Sequence, residues 1–429
     1  MASIRTIIAL AAKHDYHLHS IDISSAFLNG DLEEEIYMEQ PPGFVQFGPH
    51  YVCKLKKSLY GLKQSARQWN KKLHSTLLTL GFKRLESDRS IYVYVKDGVL
   101  LIIPVFIDDI TLASNSQKKI DSTIKELESH FKLRNLGPTS WLLGIKITRD
   151  LSQHSISLSQ HQYITDMLKQ YGFADCSPVS TPMDPGLVLQ KTQTMSNEDK
   201  EFMSKVPYLS AVGSLTYLAQ CTRPDIAYTV GTLAKYNSNP APIHWKAVKH
   251  VFRYFQSTKD YELVYKPSEE KELFITYSDS NHGACKDTGI STGGYVVKIG
   301  TGAVSWSSKL QPVVALSTTE AEYIAAVEAG KELKWMRTLL GEFGYQFDNP
   351  STLCIDNISS INVSKNPEHH GRMKHLDIKF HWLRENVERR IINPKHVGTN
   401  DQIADILTKP LSRIKHDNCR IGLGLVKSS

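Results

Sequence analysis

Val105-Phe106-Ile107-Asp108-Asp109-Ile110-Thr111-Leu112 sets two adjacent carboxylates in an otherwise apolar stretch running from Leu100 to Leu112. An ionised carboxylate among aliphatic side chains loses its water, which costs several kcal/mol unless the group is paired, hydrogen-bonded or metal-bound. The pair therefore predicts a cation, and a divalent metal is the first candidate. Ile91 to Val95 and Leu100 to Phe106 flank Lys96-Asp97-Gly98, where Asp-Gly signals a reverse turn. The resulting hairpin delivers Asp108 and Asp109 to its far end. Upstream, a helix over residues 4–14 leads into a strand, His17 to Ile23, that carries Asp22. If strand and hairpin share one sheet, Asp22, Asp108 and Asp109 converge although Asp108 comes 86 positions after Asp22. Converging carboxylates suit two divalent ions, one activating a hydroxyl and one neutralising a leaving pyrophosphate, so nucleotidyl transfer is expected. A lone aspartate in a surface turn would carry no such meaning.

Between these acids lies KLKKSLYGLKQSARQWNKK (54–72), with seven cations and no acid, preceded by four acids within Asp31 to Glu35. A charge run is usually a solvated face. Here Tyr60 and Trp69 interleave with the cations, and Gly61 permits close approach, so contact with nucleic acid or nucleotide is the better reading. Ser65 to Leu80 has helical spacing through Trp69, Leu73, Leu77 and Leu80.

The chain has 429 residues and a net charge of +7, enough length for two to four domains and a charge balance compatible with a polyanionic partner. It has no run of 18 apolar residues and no apolar leader, so a soluble, intracellular protein without a membrane partner is expected. The six cysteines form no CxxC, which argues against a zinc ribbon or a disulfide framework. Lys118 to His130 reads as an amphipathic helix, and Trp141 to Ile147 and Ser155 to Ser159 as strands. Cys176 to Gly186 and the polar run Lys191 to Lys200 suggest a linker before a helical region, Tyr208 to Ser257.

From Leu273 the pattern becomes that of an independent α/β domain with its boundary near Ser268. Strands are expected at Leu273 to Tyr277, Gly294 to Ile299, Ala303 to Ser307 and Leu353 to Ile355, with a long helix after Ser317. Acids recur there: Asp279 after the first strand, Glu322 in the helix, Asp356 after the last strand, Asp405 in a helix within DQIADILTK. Four such carboxylates can surround a pair of metals for phosphodiester hydrolysis, with water as nucleophile. Ser317 three residues before Glu320 fits a capping box, which gives Glu320 a structural task and leaves Glu322 for the chemistry. His369, His370, His375 and His381 lack a cysteine partner and are mixed with Arg372, Lys374 and Lys379, which favours a nucleic-acid-facing or solvated surface over zinc.

FIDDI (106–110) resembles the tyrosine-x-aspartate-aspartate box of reverse transcriptases, with Phe106 keeping the ring without the phenol. DISSAFLNGDLEEEIYMEQPPGF (22–44) and KSLYGLKQSARQW (57–69) closely resemble the polymerase of copia-type (Ty1/copia, Pseudoviridae) LTR retrotransposons. YSDSNHGACKDTGISTGGYVV, SWSSKLQPVVALSTTEAEY, HHGRMKHLDIKFHWLRE and ADILTKPL resemble that family's ribonuclease H. The resemblance implies Asp22 and Asp108, supported by Asp109, as polymerase metal ligands, and Asp279, Glu322, Asp356 and Asp405 as nuclease metal ligands, with Mg2+ or alternatively Mn2+ as cofactor. It places Phe27 as a steric gate against a ribose 2′-hydroxyl, and Tyr60, Gly61 and Lys63 against template base and incoming nucleotide. Leu143-Gly144-Ile145-Lys146 resembles a primer-grip turn, and His396 the loop histidine of cellular ribonucleases H.

The implied fold is α+β: a truncated right-hand palm with fingers largely missing (1–155), a helical thumb or connection (156–268), an α/β ribonuclease H-like domain (269–412) and a C-terminal tail (413–429). Family members carry a longer fingers region that supplies Lys and Arg to the triphosphate, whereas this chain enters about 20 residues before Asp22. The implied partners are an RNA template, a DNA primer, an RNA/DNA hybrid and deoxynucleoside triphosphates, in a cytoplasmic virus-like particle or the nucleus. The alternatives are a remnant with ribonuclease H activity only, or a non-catalytic nucleic-acid-binding relic.

Overall fold

The computed structural model describes residues 1–365 and 377–428, with the backbone alone for 377–380; His369, His370 and His375 lie outside the described residues. The fold is α+β, and the chain divides into two compact units. No helix among the described residues is long and apolar enough to cross a membrane.

The smaller unit is formed mainly by His14–Leu143. Its sheet runs in the order Lys83–Arg84, Ile91–Lys96, Val99–Phe106, Asp109–Ser114, His17–Ile23, Leu133–Pro138. Strand side chains alternate between faces, and one face packs on the helices Ser65–Thr79 and Gln117–Glu128. Ile21, Ile23, Ile110 and Leu112 from the sheet meet Trp69, Leu73, Ile120 and Ile124 from the helices in one core. Alternation then sends Asp22 and Asp109 to the other face.

Two expectations change in this unit. The Asp108-Asp109 pair is half-buried instead of enclosed, and Phe106 and Ile107 are exposed. The cause is a tight turn between Phe106 and Asp109, with Ile107 in the left-handed region (φ 58°), which lifts the pair out of the apolar layer. Trp69, expected beside nucleic acid, is 2% exposed and lies in the core instead, because helical spacing aligns it with Leu73 and Leu77.

The larger unit holds Met1–Lys13, Gly144–Gly341 and the described chain from Tyr345. The helix Ala2–His14 belongs here, held by Arg5. That guanidinium donates to the carbonyls of Val304 (2.8 Å), Gln220 (2.6 Å) and Cys221 (2.9 Å) and stacks 3.7 Å from the Trp306 ring. Complete burial lowers its pKa to about 10.

The expected linker is not one. Met183 and Leu189 sit in the helical core with Leu215, Val248 and Phe252. The segment's backbone is tied to the helix Pro242–Thr258 by Val179 N to Arg253 O at 3.3 Å and His250 Nε2 to Thr181 O at 3.0 Å. Turn-forming residues set its irregular path, but its scattered apolar side chains still find a core. A buried Arg223–Asp225 pair (2.8 and 3.0 Å), with Tyr254 donating to Asp225 at 2.7 Å, ties the helices together.

A second sheet has the order Gly302–Leu310, Thr292–Ile299, Ile275–Asn281, Ser351–Ile355, Ile392–His396, antiparallel over the first three strands and parallel over the last three. The helix Thr318–Glu342 carries Glu322. The expected C-terminal tail is folded: Arg413–Gly422 is helical, and Leu425–Lys427 pairs with the strand Tyr261–Tyr265.

Candidate active sites

In the smaller unit, strand register brings the expected acids together. Asp22 is directly opposite Asp109, and Ile23 N donates to Asp108 O at 3.0 Å, so the turn docks on the neighbouring strand. The Trp69 indole N–H donates to Ile107 O at 2.8 Å and pins the turn from the core side. Desolvation, then the charges of Asp108 and Asp22, push the Asp109 pKa up. These three carboxylates are neighbours, but their ligand atoms do not close into a set within 4.8 Å.

Phe27 and Tyr60 pack with centroids 4.4 Å apart and ring planes tilted by 50°, and the Tyr60 hydroxyl faces Asp108. The Tyr60 pKa is raised by desolvation first and by Asp108 next. This places the expected gate and base-packing residues beside the acids. Gly30 leaves room for Ser58, which donates to Phe27 O: a Cβ at Gly30 would lie 2.7 Å from Ser58 Oγ and 2.9 Å from Gln68 Cβ. Gly61 has φ +94° and faces open space, and Lys63 is exposed. Three cations of the basic run are claimed by the preceding acids, Lys54 by Glu35, Lys57 by Asp31 and Lys71 by Glu33. Arg134, opposite Asp22 on the other side, escaped the sequence reading because only strand register reveals it.

The acids of the larger unit are more tightly gathered. Asp279 lies within the strand Ile275–Asn281 instead of after it, at 1% exposure. Asp356 follows the adjacent strand Ser351–Ile355, and Glu322 reaches in from its helix. One ligand atom from each of the three lies within 4.8 Å of the others, the one such set among the described residues. Glu322 Oε1 accepts from Ser280 N at 3.1 Å, whereas Oε2 is buried with no hydrogen-bond partner. Burial, then the mutual repulsion of the acids, raises the pKa of Glu322, and burial raises that of Asp279 although Lys409 opposes it. Three crowded oxygen donors, one orphaned, fit a hard divalent cation.

Glu320 has the structural task expected of it. Its N–H donates to Ser317 Oγ at 3.1 Å, and its carboxylate accepts from Leu316 N at 2.8 Å.

Asp405 lies in a short 3-10 helix, Ile403–Leu407, and is held by Lys409 (2.7 Å) and Lys415 (3.1 Å). Gln402 staples that helix to the sheet by donating to Ser278 O at 2.8 Å. The adjacent Thr408 hydroxyl donates to Asp279. Gly294, opposite Asp279, leaves room for this segment. Lys409 and Gly294 were not singled out from the sequence; the four-residue spacing of Asp405 and Lys409 and the paired glycines of STGGYVV are the signals that could have found them. His396 is exposed at the end of its strand, and burial, then the charge of Asp405, raises the pKa of Asp356.

Known proteins resemble this chain over much of its length. Residues 1–185 match the family model "Reverse transcriptase (RNA-dependent DNA polymerase)". Over 428 residues, 99% of this chain, the sequence is 41% identical to a retrovirus-related Pol polyprotein from transposon TNT 1-94 of Nicotiana tabacum, covering 32% of that protein. A transposon Ty5-1 protein of Saccharomyces cerevisiae is 35% identical over 315 residues, 73% of this chain and 100% of its own length. A foamy viral protease-reverse transcriptase, solved in complex with an RNA/DNA hybrid, aligns with a TM-score of 0.48 and 12% identity over 89% of this chain and 44% of that one. A reverse transcriptase segment followed by a ribonuclease H-like carboxylate site defines the class. The chain belongs to the copia-type (Ty1/copia) family of LTR-retrotransposon Pol proteins. It spans about a third of the length of the tobacco relative.

Proposed function

We propose that this chain is an RNA-directed DNA polymerase with ribonuclease H activity, acting on an RNA template, a DNA primer and deoxynucleoside triphosphates, and then on the RNA/DNA hybrid. The observation that carries the reading is the close-set Asp279, Glu322, Asp356 trio, the first two buried, with its orphaned Glu322 oxygen. Mg2+ or Mn2+ bound there would polarise the scissile phosphate and lower the pKa of an attacking water. The chain's own part is to hold the three carboxylates in place from two strands and a helix, and to keep Asp279 oriented through Thr408.

In the polymerase half, Asp22, Asp108 and Asp109 are the proposed metal ligands, and Phe27, Tyr60, Gly61 and Lys63 the proposed nucleotide and template contacts. Support comes from the Asp22–Asp109 register and the tilted Phe27–Tyr60 ring pair beside Asp108. An apolar ring in that position would collide with a ribose 2′-hydroxyl and admit a deoxyribose. The functional division proposed is palm (1–155), thumb or connection (156–268), ribonuclease H (269–412) and C-terminal segment (413–429), with Asp405 as the fourth acid of the nuclease. A nuclease-only reading is kept because the polymerase acids do not close into a ligand set.

Primer extension on RNA and cleavage of a labelled hybrid, each with Mg2+, decide between them. Asp22→Asn should abolish extension and spare cleavage, and Asp279→Asn should do the reverse. Cleavage without extension selects the nuclease-only reading, and neither reaction with intact acids overturns the proposal.

A further inference from the structure

The second sheet and the helix Thr318–Glu342 do not close completely on each other. Strand register pairs Gly293 with Lys309 and Tyr295 with Ser307, so these residues share one face of two neighbouring strands. The helix lays Ile324, Ala325 and Glu332 opposite them. Between the two is a cavity of about 360 Å3, large enough for a small molecule, and none of Asp279, Glu322, Asp356 or Asp405 lines it.

Two observations point to a ligand. Gly293 leaves the middle of the floor empty although its backbone lies outside the left-handed region. A Cβ there would meet Gln311 Nε2 at 3.5 Å, Ala325 Cβ at 3.6 Å and Gln311 Cγ at 3.7 Å, which are ordinary contacts, so an alanine would fill the gap without strain. Gln311 lines the same cavity and is 6% exposed. Its Nε2 donates to Ala321 O at 2.7 Å, which fixes the amide, and its Oε1 is buried with no hydrogen-bond partner among the described residues. A buried orphan acceptor calls for a donor from outside the chain.

The remaining walls restrict what that donor belongs to. The Tyr295 hydroxyl faces Glu332, whose Oε1 accepts from Ser305 Oγ at 2.6 Å, so the ring reaches from sheet to helix and closes one end. Lys331 pairs with Glu328 at 2.7 Å, whereas Lys309, opposite Gly293, is exposed and forms no ion pair among the described residues. The ligand therefore needs a flat body, an N–H on one edge and a negative charge on the other. A nucleobase on its sugar phosphate has all three.

We propose that this cavity is a nucleotide-binding site: Gln311 Oε1 accepts from a base N–H, the base lies against Tyr295, and Lys309 receives the phosphate. Only an acceptor is free on Gln311, so guanine, with adjacent N1–H and N2–H donors, fits it best. A free nucleoside monophosphate and an unpaired base within a strand present the same chemistry. The site stands apart from both carboxylate clusters and goes beyond the function proposed above.

Calorimetric titration of the full chain in EDTA, where the carboxylate clusters hold no divalent ion, tests it. The probes are guanosine 5′-monophosphate, ribose 5-phosphate and a short oligothymidylate carrying one central guanine. Guanosine monophosphate, the oligonucleotide or both should bind, and ribose phosphate should not. Gly293→Ala, which fills the gap, and Gln311→Met, which removes the acceptor, should each weaken binding by roughly tenfold or more. Gly293→Ala should keep its full stability in urea, so it carries the test if Gln311→Met does not fold. Binding of the monophosphate alone identifies a free nucleotide as the ligand, and binding of the oligonucleotide alone an unpaired base in a strand. No binding of either at millimolar concentration, or binding that Gly293→Ala leaves unchanged, overturns the inference and makes the gap a water-filled void.

Discussion

Gly294→Ala is the most economical probe of how the nuclease site is assembled. A Cβ at this position would lie 2.7 Å from Leu407 Cβ, 2.9 Å from Thr408 Cγ2 and 3.3 Å from Leu407 O. Ordinary contact begins near 3.4 Å, so Leu407 must retreat by about 0.7 Å and Thr408 by about 0.5 Å. Leu407 cannot yield by rotating its side chain, because its contacts are Cβ and backbone, and Thr408 can turn its methyl away only by taking its hydroxyl off Asp279. The segment must therefore move as a body, drawing the Thr408 hydroxyl off Asp279 and lengthening the 3.5 Å Lys409–Asp279 approach to roughly 4.2 Å. Overpacking of this kind costs about 1–3 kcal/mol, and weakening a hydrogen bond to a buried charged group about 1.5–3 kcal/mol more. Urea unfolding should show a loss of roughly 2.5–6 kcal/mol, and hybrid cleavage should fall at a Mg2+ concentration that saturates the unmodified chain. Extension, which depends on Asp22, should be spared. Unchanged stability together with unchanged cleavage would refute the argument that this glycine exists to admit the Ile403–Lys409 segment.

Other outcomes follow from the same geometry. Glu322 and Asp279 have folded-state pKa values above their unfolded ones, pushed up to about 9 and about 7. The folded chain therefore binds more protons than the unfolded chain between roughly pH 4 and 9, and metal-free stability should fall as pH rises through that window. Glu322→Gln should flatten the slope in EDTA and Mn2+ should reverse it; a slope identical in the variant would exclude this cause. Asp225→Ala strands the fully buried Arg223 guanidinium and should cost about 3–5 kcal/mol in a denaturant titration, whereas a loss under 1 kcal/mol would mean that water reaches the site. Trp69→Phe keeps the ring but leaves Ile107 O without its indole donor. Its stability should drop by about 1 kcal/mol and extension should fall with it, and unaltered extension would show that the turn positions itself.

Much of this protein was legible before folding. The His17–Ile23 strand coincides with its expected bounds, and the Asp97-Gly98 hairpin was placed to within a residue, because alternation and turn chemistry are local properties. The acids proposed for both sites were also singled out from the sequence, from the apolar frame of Asp108 and Asp109 and from the family resemblance. Other features were wrong or invisible for reasons that lie in packing. Asp108 and Asp109 read as buried because their neighbours are apolar, but the left-handed Ile107 turns the segment outward. Met183 and Leu189 read as linker because apolar residues scattered without period give no signal until a helical surface receives them.

The sequence alone determined the α+β class, the polymerase-nuclease resemblance and the identity of the catalytic candidates, because these depend on residue type and short-range spacing. Tertiary structure decided which acids share a site. Asp279, Glu322 and Asp356 close within 4.8 Å, whereas Asp405 is drawn to Lys409 and Lys415. Strand pairing across more than 70 residues, and a glycine that lets one segment lie against another, set that outcome. Electrostatic energy depends on distances between groups far apart in the chain, and only folding fixes those distances.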